Sequence, residues 1–163
     1  MKIATIVLAA SFLCCSAASS RAAADAASAA ADAAPACQMA RESALAAGRV
    51  SIRPGETLCI RLRVSGQRVD AGALVSGADA AGALVLKASK EDKGTLLVLK
   101  NPLGATLRYR VYLSRPMRVE STYTSSCPIT AHGSNFESWP YAVGEIVLSD
   151  FELLPADSSS RCD

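Results

Sequence analysis

Residues 94–114 read GTLLVLKNPLGATLRYRVYLS. Two apolar, β-prone runs flank Asn101-Pro102-Leu103-Gly104, a tetrapeptide suited to a type I turn. Asn favours its first position, Pro presets φ at the second and Gly suits the fourth. If this turn closes a hairpin with Asn101 facing Gly104, Val98 falls opposite Leu107 and Leu96 opposite Tyr109, with Val111 continuing that face. Leu97 then meets Arg108, and Thr95 meets Arg110, on the other face. The pairing predicts an apolar core side and an outward side carrying Leu97, Leu99, Arg108 and Arg110. A one-residue slip would scramble both sides, so pattern and turn agree on register.

Working outward, the same period of two recurs. Arg49 to Arg53 reads as a short strand, followed by a turn at Arg53-Pro54-Gly55-Glu56. In Thr57 to Ser65, Leu58, Ile60, Leu62 and Val64 alternate with Cys59, Arg61 and Arg63. AGALV occurs at 71–75 and again at 81–85, which suits two short strands around a turn and is too brief for a solenoid. Lys90 to Gly94 is a polar turn, and Met117 to Thr124 and Gly144 to Leu154 are further strands. Ser125 to Val143 reads as one long loop, and Gln38 to Ala47 as a short helical turn stopped by Gly48. Seven or eight short strands without a long amphipathic helix predict a single antiparallel β-sandwich, immunoglobulin-like in general architecture. Two immunoglobulin hallmarks are missing: a tryptophan between two suitably placed cysteines, and a tyrosine shortly before the second cysteine.

The beginning of the chain sets the expected compartment. Met1-Lys2, an apolar run from Ile3 to Leu13 and small residues through Ser20 read as a secretory signal peptide over 1–18. A second small-residue site allows cleavage as late as residue 24. Cys14 and Cys15 raise lipid anchoring as the lesser alternative, because Phe12-Leu13 put bulk where lipoprotein processing wants small side chains. Residues 19–36 form an Ala-rich linker whose methyl groups bury too little area to build a core. Residues 37–163 form the domain, expected to be periplasmic or secreted with no transmembrane segment. Cys37, Cys59, Cys127 and Cys162 are the disulfide candidates, and four cysteines leave three connectivities open. No pair has C-x-x-C spacing and His132 is the sole histidine, so neither metal nor cofactor is expected.

Charge is unevenly distributed. Residues 49–119 hold 13 Lys plus Arg against 5 Asp plus Glu, and residues 120–163 hold 1 against 7. If the last strand lies beside the basic ones, the two halves neutralise each other. Otherwise Arg61, Arg63, Arg108 and Arg110, with Leu97 and Leu99, form a contact face for an anionic partner: polysaccharide, lipid headgroup or acidic protein surface. The export signal and scarce aromatic residues speak against nucleic acid. The second candidate is the loop from His132 to Tyr141, which gathers His132, Ser134, Asn135, Glu137, Trp139 and Tyr141. A nucleophile reading pairs Ser134 with His132, yet no G-x-S-x-G elbow accompanies them. Asp150 and Glu152 share a face of the final strand and would matter chemically only in a cleft. The expectation is a non-enzymatic exported binding module, an adaptor or inhibitor of another envelope or secreted protein. A subunit assembling by strand addition, or a small hydrolase centred on His132 and Ser134, are the alternatives.

Overall fold

The computed structural model describes residues 37, 41, 44–155 and 161–162. The expected signal peptide and Ala-rich linker lie outside the described residues, as do residues 38–40, 42 and 43 of the expected 38–47 helical turn; within its described part, Leu45–Ala46 form a strand instead.

Among the described residues, ten strands follow one another: β1 (Leu45–Ala46), β2 (Arg49–Ile52), β3 (Thr57–Ser65), β4 (Arg68–Val75), β5 (Leu84–Glu91), β6 (Gly94–Lys100), β7 (Leu107–Ser114), β8 (Ser121–Thr124), β9 (Ser134–Trp139) and β10 (Glu145–Leu153). All pairings are antiparallel. One arm of the sandwich runs β9-β6-β5-β3-β4, and the other runs β8-β7-β10-β2-β1. The arms join where Arg68 of β4 meets Glu152 of β10. The β10 strand is the hub: β7 lines one of its edges, while β2 and then β4 take the other. The first AGALV segment falls on β4 and the second ends in β5, which it enters at Leu84, and these strands flank β3 instead of pairing with each other.

The expected hairpin across Asn101 does not form. The β6 strand pairs with β5 and β9, whereas β7 pairs with β10 and β8. The connection crosses from one arm to the other, so the two strands face each other through the core. That reverses the expected face of β6: Leu97 and Leu99 are fully buried, and Leu96 and Val98 are only half-buried. The physical reason is visible in the run Leu96-Leu97-Val98-Leu99, where both faces are apolar and either can be buried. The β7 assignment holds, with Leu107, Tyr109 and Val111 buried.

Asn101 makes the crossing possible. Its side chain is buried, and its amide donates to the carbonyls of Ala105 (2.8 Å), Ile129 (3.3 Å) and Thr130 (3.0 Å). Its Oδ1 accepts the Leu103 N–H at 3.0 Å. Backbone groups that leave a ladder at a buried corner need partners, and one amide supplies several of them. The expected loop 125–143 contains β9, which completes the first arm. The core lies between the arms, with Leu58, Ile60, Leu86, Leu97 and Leu99 on one side and Tyr109, Val111, Ile146, Leu148 and Phe151 on the other. Disulfides join Cys37 to Cys59 and Cys127 to Cys162. No helix among the described residues is long and apolar enough to cross a membrane.

Candidate functional site

The four arginines do not assemble into one patch. Arg61 and Arg63 lie on β3 and Arg108 and Arg110 on β7, with β4 and β10 between those strands. Acidic side chains fill the interval. Arg108 Nη2 lies 2.7 Å from Glu152 Oε2, and Arg68 pairs with Asp70 at 3.4 Å. Glu145 of β10 meets Arg41 at 3.3 Å and Arg53 at 3.5 Å. The acidic last strand therefore lies against the basic ones. Burial works against ionisation of Glu56, but the Arg41 guanidinium and the Arg53 backbone N–H outweigh it and hold this carboxyl below its usual range. Arg41 is correspondingly raised, mainly through its hydrogen bond to Glu56.

Leu97 and Leu99 leave the candidate list because both belong to the core. The residues from His132 to Tyr141 divide along β9. Asn135, Glu137 and Trp139 point inward, while Ser134, Phe136 and Ser138 are exposed. Trp139 is buried. Inside, Asn135 Nδ2 donates to the Tyr109 hydroxyl and to Cys127 O, each at 2.9 Å. The Tyr109 hydroxyl donates to Glu137 Oε1 at 3.1 Å, which also accepts the Cys127 N–H at 3.1 Å. Burial, reinforced by the Glu137 charge, pushes the Tyr109 hydroxyl well above its ordinary value, and Asn135 opposes that only in part. These bonds close on one another within the fold. His132 and Ser134, by contrast, are exposed and share no hydrogen bond among the described residues.

The outer face of β7 offers an open arrangement. Arg108, Arg110, Tyr112, Tyr123, Asp150 and Glu152 line a groove of about 580 Å³. The Tyr112 and Tyr123 rings, on neighbouring strands, meet edge-to-face with centroids 5.7 Å apart. Across the groove, the β7–β10 register shifts between Ser149 and Glu152, and Asp150 there takes a left-handed φ of 53°. Bulges of this kind bend a strand and re-aim its side chains. Ser149 Oγ donates to Asp150 Oδ2 at 2.9 Å, which aligns the carboxylate. Arg110 is exposed and has no ion-pair partner among the described residues. The groove thus combines two cations, two carboxylates and two aromatic rings, with its charges balanced. Tyr112 and Tyr123 escape a reading based on charge alone. Continuing the outward alternation Arg108, Arg110 by two residues reaches Tyr112, and Tyr123 follows only from the β7–β8 pairing.

No family model, curated protein or solved structure matches this chain.

Proposed function

We propose that this chain is an exported, non-enzymatic β-sandwich that binds a polar component of the envelope, in the first place a polysaccharide, through the outer face of β7, β8 and β10. The observation that carries the reading is the groove of Arg108, Arg110, Tyr112, Tyr123, Asp150 and Glu152. Guanidinium and carboxylate groups are planar: the first can donate two hydrogen bonds to neighbouring hydroxyls, and the second can accept two from them. Tyrosine rings add apolar contact with a polar tip. Balanced charge favours a ligand rich in hydroxyls over a polyanion. The two disulfides support a periplasmic or secreted location, because such bonds persist in oxidising compartments.

Titration with a soluble peptidoglycan hydrolysate tests the reading. Arg110→Glu and Tyr123→Ala should each weaken binding about tenfold, in line with the loss of a charge-assisted hydrogen bond or an aromatic contact. Lys100→Glu, on the opposite arm, should leave binding unchanged. Equal binding by all three variants, or none by the wild type, overturns the proposal.

Strand addition is the second reading, favoured by β9, which among the described residues pairs only with β6 and exposes Phe136. That edge is already partly closed, because Asn135 Oδ1 accepts the Phe136 N–H at 2.8 Å. The hydrolase alternative has no such support, since Ser134 and His132 make no mutual hydrogen bond.

A further inference from the structure

The β7–β8 connection, Arg115-Pro116-Met117-Arg118-Val119-Glu120, carries the two most exposed apolar side chains of the described fold. Met117 is 103% exposed and Val119 100%, more than twice the exposure of Tyr123 on the strand that follows. Single exposed apolar residues are ordinary, but two within three residues on a protruding tip are not.

The tip is presented on a firm base. Arg118 N–H bonds to Arg115 O at 3.0 Å, closing a turn in which Met117 takes a left-handed φ of 62°. Gly144 N–H bonds to Ser114 O at 2.8 Å just below it. A Cβ on Gly144 would come within 2.9 Å of the Arg115 and Pro116 backbone, so the two loops fit closely. The Arg115 guanidinium stacks over the Tyr141 ring at 5.2 Å, which fixes a cation and an aromatic ring beside the apolar pair. Arg118, between Met117 and Val119, is exposed and without an ion-pair partner among the described residues.

We infer that this end of the sandwich docks on an anionic lipid surface, with Met117 and Val119 entering the headgroup boundary and Arg115 and Arg118 meeting phosphates. The chemistry matches that of interfacial binding: apolar side chains at the tip, cations immediately behind them and a tyrosine at the polar boundary. A fully exposed tip also favours a fluid surface over a protein, because lipid needs no preformed pocket to receive it. This surface is separate from the proposed glycan groove, so either can fail without the other.

The test is co-sedimentation of the protein, purified as the producing cell processes it, with vesicles of phosphatidylglycerol and phosphatidylcholine. The wild type should bind these vesicles, and binding should fall as salt rises. Met117→Asp with Val119→Asp should lower the bound fraction at least tenfold, as loss of two buried apolar side chains requires. Aspartate tolerates the left-handed conformation at 117, so an unchanged melting transition is expected alongside. Arg118→Glu should cost about fivefold or more on the mixed vesicles and little on phosphatidylcholine alone. Indifference of the wild type to anionic vesicles, or equal binding by the double variant, overturns the inference and leaves a protein as the partner of the tip.

Discussion

The two faces of β7 carry similar chemistry and opposite fates. Inward, Tyr109 joins Asn135, Glu137 and the Cys127 backbone in a network whose hydrogen bonds close on one another. Outward, Arg108, Arg110 and Tyr112 face a groove in which Arg110 has no ionic partner among the described residues. No buried side-chain nitrogen or oxygen among the described residues lacks a hydrogen bond. The difference teaches how to sort polar side chains in a fold from their bonding alone. Groups whose bonds are satisfied internally hold the structure, and groups with remaining capacity are the ones available to a ligand.

Substitutions should reproduce that division, with stability losses falling from the inner face outward. Tyr109→Ala removes a fully buried ring that also stacks near Phe151, and should cost about 3–5 kcal/mol in denaturant unfolding. A loss under about 1 kcal/mol would show that the inner network does not hold the arms together. Glu137→Gln keeps the shape but weakens the acceptor for Tyr109 and Cys127, with an expected loss of about 1–2 kcal/mol.

The Arg41–Glu56 pair lies between the extremes, partly buried at the foot of the same sandwich. Its effect should depend on pH. Because Glu56 is held below its usual range, its contribution is present above the ordinary carboxylate pKa and disappears as pH falls through the lowered value. Arg41→Ala should therefore cost about 1 kcal/mol at neutral pH and flatten the acid limb of the stability curve; parallel curves for variant and wild type would exclude the coupling. Glu152→Ala breaks the half-exposed pair with Arg108 and should cost no more than about 1 kcal/mol by thermal unfolding. Arg110→Glu should change stability by less than about 0.5 kcal/mol while weakening ligand binding about tenfold, the smallest structural effect paired with a clear functional one.

Much of the strand pattern was legible because half-buried strands alternate. Thr57–Ser65 matches β3 to the residue, and Gly144–Leu154 brackets β10 within one residue at each end. Pairing was less legible. Leu96-Leu97-Val98-Leu99 is apolar on both faces, so its orientation depended on the assumed hairpin, and Asn101 suits a tight turn as well as a buried corner. The β9 strand was hidden for the opposite reason: its inward residues Asn135 and Glu137 are polar, and its outward Phe136 is apolar. Hydrophobic alternation cannot report a strand that lines a polar network. The arginines were correctly read as outward-facing, but their separation by β4 and β10 is a property of topology that spacing along the chain does not encode.

The central place of β10 also has a consequence for the order in which the protein is made. The β2, β4 and β7 strands each take β10 as a neighbour, yet at least 30 residues separate the end of β7, at Ser114, from the start of β10, at Glu145. As the chain emerges in sequence order the earlier strands keep those edges open, and one later segment then closes all three. Completion is thus concentrated in a single event, the docking of β10. Until then the nascent domain exposes the strand edges that chaperones recognise and that neighbouring chains could pair with by mistake.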